Sequence, residues 1–267
     1  YSLSYLGFNL GFIVGASLSG ILFEHHLRLA FCINGLSIFV STVLIFFFVH
    51  TKNAISEDTE SLLESYSEYE LPVDEKIPVL TVLKQRPVLI GMLLVGCFAS
   101  MPSNLVGILL PLQLKETMGQ TGATIYGYLN SLNGFVVIAF TPILTILLKK
   151  LTEIPKTILG LLLFVAGIGF FSVGTAAAVL FAGMFVFTLG EVITGLGHNP
   201  YNSRRIPASH RGRVGGISSV VHSIFSSLTQ YLISGILFLS NSNYRLIWTV
   251  FILCGLCTSI MWGGIFN

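Results

Sequence analysis

The chain has 267 residues, 53% of them hydrophobic and only 10% charged, with a mean hydropathy of +0.83. Soluble domains carry about 25% charged residues, so this chain cannot cover a water-facing surface, and a soluble enzyme, a disordered tail and a nucleic-acid binder are excluded together. The net charge of +2 hides a stronger signal in where the 14 Lys and Arg and the 12 Asp and Glu fall.

A bilayer core takes about 20 apolar residues per helix. Eight stretches qualify: Tyr1–Phe23, Leu29–Val49, Pro87–Leu114, Ile125–Leu148, Lys156–Thr175, Ala178–Gly197, Arg213–Leu239 and Tyr244–Phe266. Long apolar runs between short polar breaks predict helices, because barrel strands would alternate residue by residue. The predicted class is an all-α polytopic membrane protein of eight transmembrane helices. The chain opens inside a span without Met or a basic leader, which predicts no signal peptide and an upstream part outside this chain.

In the first span Gly7, Gly11, Gly15 and Ser19 recur every four residues and predict a smooth ridge. Small residues at that spacing let backbones approach closely in lipid, either as static packing or as a sliding contact. The second span holds little that is polar beyond Asn34. Eight of the 12 acids then gather between Glu57 and Glu75, within a charged connection spanning 50–86 that reads as a hydrated linker or a docking surface. It closes on an amphipathic lead, Val79, Leu80, Val82 and Leu83, and divides two helices (1–49) from six (87–267).

Polarity differs among the remaining spans. The third carries Ser100, Ser103 and Asn104 beside Pro102, a proline that can free backbone carbonyls beside a binding site. The fourth carries Asn130 and Asn133 on one face. The sixth holds Glu191, the one acid inside an apolar run. The seventh carries His222, Ser226 and Gln230 at one-turn intervals. The second, fifth and eighth spans are nearly devoid of such groups, so every third helix is expected to face lipid. Phe185 and Phe187 are expected against lipid as well. Cys254-x-x-Cys257, one helical turn with no His or acid nearby, reads as packing.

An ionised carboxylate near a span centre costs about 3 kcal/mol on insertion scales. Glu191 therefore reads either as a proton or substrate group or as a latch pairing with Arg211 or Arg213. His222 reads as a relay or as packing; Asn104, Asn130, Asn133 and Gln230 read as pathway groups or as interhelical glue. Motifs for metalloprotease, hydrolase and nucleotide sites are absent from the sequence, so neither enzyme, cofactor nor metal is expected.

Eleven of the 14 basic residues fall in the connections of one side and three, Arg28, Lys115 and Arg245, in those of the other. The positive-inside rule assigns the richer side, and both ends of the chain, to the cytoplasm.

Eight helices split two plus six about a long loop resemble a major facilitator superfamily transporter from its fifth to its twelfth span. Gly11, Gly15, Ala16, Ser19 and Gly20 resemble the glycine-rich motif of the family's antiporters, with Ala16 in place of its proline. Gly190-Glu191 and Pro207-x-x-x-Arg211-Gly212-Arg213 resemble the matching stretch of drug–proton antiporter-like members. The resemblance implies a plasma-membrane secondary transporter with protons as coupling ion. It also implies a small hydrophobic or amphipathic substrate, export by alternating access, and missing N-terminal helices of the same protein as partners. An uptake symporter or facilitator of the same fold, or a non-transporting scaffold using the acidic loop, are the alternatives.

Overall fold

The computed structural model describes residues 2–23, 26–48, 77–174 and 176–266, and these are helical apart from short connections. Most of the acidic linker, residues 50–76, lies outside the described residues. The helices are α1 (Ser2–Phe23), α2 (Leu27–Phe48), α3 (Val79–Gln85), α4 (Pro87–Met118), α5 (Thr121–Leu147), α6 (Glu153–Val173), α7 (Ala177–Arg205), α8 (Arg211–Leu239) and α9 (Tyr244–Phe266). Seven of them are long and apolar enough to cross a membrane, and α1, 22 residues long, is apolar over Asn9–Phe23. In lipid every backbone group must find its partner within the segment, and a helix achieves this locally.

The helix ends follow local chemistry. Pro87 opens α4 at its first turn, where a missing N–H has no cost. Gly119, with φ 59°, turns the chain between α4 and α5 in a conformation that side chains with a Cβ rarely adopt. α3 is the amphipathic lead, with Val82 and Leu83 buried and Leu80 exposed. The largest departure from expectation is α7, which runs eight residues past Gly197 to Arg205, through Pro200. The apolar stretch ends at Gly197, but the helix does not, because Asn202 bonds His198 one turn back (2.8 Å) and the Arg205 guanidinium lies 3.7 Å over the Tyr201 ring. Arg204 pairs with Glu153 of α6 at 2.6 Å, tying the extension down.

α6 and α7 pack most intimately, α9 covers α6, and α1 lies along α5. The core gathers Leu105, Leu109 and Leu114 of α4 with Phe171 of α6 and Trp248 of α9. Within it Trp248 Nε1 donates to Gln113 Oε1 (2.6 Å), and Gln113 Nε2 donates to the Phe171 carbonyl (3.2 Å). α2 has no buried residue, and Phe46, Phe47 and Phe48 at its end are fully outward. Phe187 departs from the expected lipid contact: it is buried, 4.7 Å from the Phe164 ring, because the α6–α7 seam turns that face of α7 inward.

The α1 contact also differs from the expected ridge. A Cβ on Gly7, Gly11 or Gly15 would meet nothing within 4 Å. The face that packs is Ile13, Ala16, Ser17 and Gly20: a Cβ on Gly127 of α5 would lie 2.8 Å from the Ala16 carbonyl and 2.9 Å from Gly20 Cα. Ser131 Oγ donates to the Ile13 carbonyl (3.0 Å) and Thr124 Oγ1 to that of Gly20 (3.2 Å). The four-residue repeat was real, yet residues offset from it by one or two positions meet the partner.

Candidate functional site

Glycines at seven-residue intervals orient α7. A Cβ on Gly190 would lie 2.7 Å from the Gly160 carbonyl oxygen and the Phe164 amide of α6, and one on Gly197 would lie 2.5 Å from the Glu153 carbonyl. Gly183 meets Phe170 in the same way. This seam presses one face of α7 on α6. Glu191 follows Gly190, and successive helical residues are about 100° apart, so its carboxylate leaves the seam for the interior between α4, α5 and α8. With α7 extended to Arg205, Glu191 sits at mid-helix rather than near a helix end.

The carboxylate is held from α5. Asn133 Nδ2 donates to Glu191 Oε2 at 2.8 Å and to Thr188 Oγ1 at 3.0 Å, while the Thr188 hydroxyl donates to the Met184 carbonyl at 2.7 Å. Arg211, one of the two expected latch partners, donates to the Ser203 carbonyl at 3.1 Å.

Three cavities meet at Glu191. The first, about 530 Å³, lies between α4, α7 and α8 and is walled by apolar side chains such as Leu89, Met92 and Phe164 together with Ser100, His198 and His222. The second, about 380 Å³, runs towards Asn9 and Phe12 of α1 past Asn133. The third, about 420 Å³, adds Tyr126 and Asn130 of α5. One carboxylate is thus reached from three directions.

The other predicted residues divide. Asn130 and Asn133 share a cavity, Asn130 donating to the Tyr126 carbonyl (2.9 Å). His222 lines the first cavity with Nδ1 3.3 Å from Ser100 Oγ. Asn104 lines none of these cavities, and its Nδ2 is buried without a hydrogen-bond partner; its neighbour Ser103 lines two of them. Gln230 is exposed and away from all three. Pro207 is buried, and the short 3-10 turn Ala208–His210 leads into Arg211, Gly212 and Arg213 at the start of α8. There His210, wholly buried, bonds the Ile77 carbonyl at 2.9 Å (Nε2), which fastens the end of the linker region to the α7–α8 turn.

Sequence reasoning missed His198, Asn199 and Asn202, all on the first cavity. Glu191, Gly195, His198 and Asn202 follow a three-and-four spacing along one helical face. That pattern was available, and it was hidden by ending the span at Gly197. Thr188, one turn before Glu191, was readable in the same way.

The chain matches the family described as Major Facilitator Superfamily over residues 1–230. The chain belongs to the major facilitator superfamily. Among curated proteins no match to it is found. As a superfamily member it is a multi-pass membrane transporter, and its family is one of transporters, not enzymes. In this transporter α4, α5, α7 and α8 supply the polar cavity groups together with α1; α2 and α9 line none of the three cavities, and α6 contributes Phe164.

Proposed function

We propose that this transporter is a proton-coupled carrier that exports small amphipathic molecules by alternating access, with Glu191 taking and giving the coupling proton. The observation that supports the reading is the position of the Glu191 carboxylate, at mid-helix, bonded to Asn133 and lining all three cavities. A carboxyl group that one side and then the other can reach is what alternating access requires of a proton site near the midplane. An intramembrane acid is expensive and marks such pathways. Protonation would weaken the acceptor that Asn133 bonds, and so alter the tie between α5 and α7. The mixed lining, apolar on α4 and α6 and hydroxyl-bearing on α4 and α8, suits a molecule with an apolar body and a polar head. The Lys- and Arg-rich side belongs to the cytoplasm of a plasma membrane.

Gradient-driven flux of an amphipathic fluorescent dye in liposomes holding the full-length protein tests this reading. Dye movement should follow an imposed pH gradient and stop when a protonophore collapses it. Equal flux with and without the gradient would remove proton coupling.

A further inference from the structure

The first cavity runs from Glu191 towards the end of the molecule that carries Arg204 and Arg205, and apolar residues line it there. Leu89 stands third in α4, Val214 fourth in α8, and Ile206 directly follows α7. Leu89 and Val214 are each 1% exposed. A proton leaving Glu191 in this direction as bare hydronium would pass apolar walls that penalise an isolated charge. Four titratable side chains line the cavity: Glu191 and His198 of α7, Cys97 of α4 and His222 of α8. His198 lies seven residues from the end of α7 and Glu191 fourteen, while Cys97 stands eleventh in α4 and His222 twelfth in α8. His198 is thus the nearest of the four to that end. At the helical rise it is about 10 Å along the axis from the end and about 10 Å from Glu191. Among the described residues lining the cavity there is no Lys or Arg. Arg204 and Arg205 are held by Glu153 and Tyr201.

The surroundings of His198 suit a ring that changes charge. Asn202 Nδ2 lies 2.8 Å from His198 Nε2, and Asn202 Oδ1 is buried without a hydrogen-bond partner. An amide has a donor on one arm and an acceptor on the other, in nearly the same shape. Turned one way, Asn202 donates to the lone pair of the neutral ring; turned the other, it accepts from the Nε2–H of the imidazolium. His198 Nδ1 is buried without a partner, so exchange with the cavity runs through Nε2. That edge faces Gly96 of α4, where a Cβ would come within 3.5 Å of Cε1 and 3.6 Å of Nε2. The glycine lines the cavity and leaves the edge open to it. Trp262 of α9 meets the ring edge-on, centroids 5.4 Å apart. We infer that His198 relays the coupling proton between Glu191 and the Arg-rich end. The Glu191 carboxyl gives its proton through cavity water to His198 Nε2, leaving a carboxylate and an imidazolium. The imidazolium then gives that proton to water at the Arg-rich end and is neutral again. A cavity of about 530 Å³ has room for this water. The inference rests on Glu191 carrying the coupling proton.

The test compares the wild type, His198→Gln and Glu191→Gln in liposomes of the full-length protein, with an amphipathic fluorescent dye as substrate. Gln keeps a hydrogen-bonding amide at 198 but takes up no proton. Gradient-driven net flux in His198→Gln should fall by at least about tenfold, since a positioned proton-transfer group is worth at least that. Dye-for-dye exchange without a gradient should keep its wild-type rate, because Glu191 and the cavity remain. Should His198→Gln melt early, Gly96→Ala replaces it: its methyl meets the Nε2 edge at ordinary contact distance and should give the same split with the histidine in place. Wild-type net flux in the folded variant, with Glu191→Gln inactive, would overturn the relay and leave the coupling role of Glu191 standing. Net flux and exchange falling together would make His198 a packing group and overturn the relay as well. Gradient-driven flux that is missing in the wild type, or kept in Glu191→Gln, would overturn the coupling reading and the relay with it.

Discussion

Asn133 serves two partners with one nitrogen: it bonds the Glu191 carboxylate and the Thr188 hydroxyl, and so ties α5 to the acid on α7. Hydrogen bonds between membrane helices are worth about 0.6 kcal/mol on average and about 1.7 at most. Asn133→Ala should therefore lower stability by about 1 kcal/mol, a small change in melting temperature. Its effect on gradient-driven flux should be larger, because the carboxylate loses its placement. Asn133→Gln should not restore flux, since its extra methylene displaces the donor. A variant that melts earlier but transports at the wild-type rate would make Asn133 structural glue only. Glu191 and Asn133 could each be picked out from sequence, as a lone acid and an amide in apolar runs. Their pairing could not, because they lie 58 residues apart with the whole of α6 between their helices.

At the scale of the helix, apolar run length predicted each long helix of the structure, seven of them long and apolar enough to cross a membrane. It was a poor guide to ends and faces. α5 starts at Thr121 and α7 ends at Arg205, beyond the apolar stretch in each case, since polar residues that bond within a helix extend it past the hydrocarbon. In the structure α5 meets Ala16 and Gly20 and not Gly7, Gly11 or Gly15, because a four-residue repeat of small residues says that close approach is allowed without saying where the partner lies. The structure separates the two faces sharply. Gly127→Val would press its branched side chain on the Ala16 carbonyl and the Gly20 backbone, which cannot yield as a side chain can. Overpacking of this kind costs about 1–3 kcal/mol. A disulfide between Cys introduced at Ser17 and Ser131, whose hydroxyls are bonded, reports the contact. It should form readily in the parent, fail in Gly127→Val and persist in Gly15→Ala, where a Cβ meets open space. Loss of the crosslink in Gly15→Ala with retention in Gly127→Val would reverse the assignment of faces.

Across the whole molecule the two ends sort by charge. Tyr244 donates to Glu116 at 2.6 Å at one end, beside Lys115 and Arg245. At the other, Arg204 meets Glu153 and His210 meets Ile77. The positive-inside count assigns this second end to the cytoplasm. In a background lacking the four native cysteines, Lys149→Cys and Ser203→Cys should react with an impermeant maleimide only from the cytoplasm, and Gln120→Cys and Arg245→Cys only from outside. Labelling of both pairs from the same side would break the span count itself. Sidedness is an expectation that charge alone carries, because charge resists crossing lipid wherever the chain folds; the cavities could not be read, because they exist only between helices distant in sequence.

The central claim is that Glu191 carries the coupling proton, and Glu191→Gln tests it most directly. The amide keeps the size of the side chain and its bond from Asn133 but holds no exchangeable charge. In liposomes of the full-length protein, net substrate flux driven by a pH gradient should fall by at least about tenfold in this variant. Substrate-for-substrate exchange without a gradient should continue, because it needs the cavity and not the proton. Gradient-driven net flux at the wild-type rate in Glu191→Gln would contradict the account.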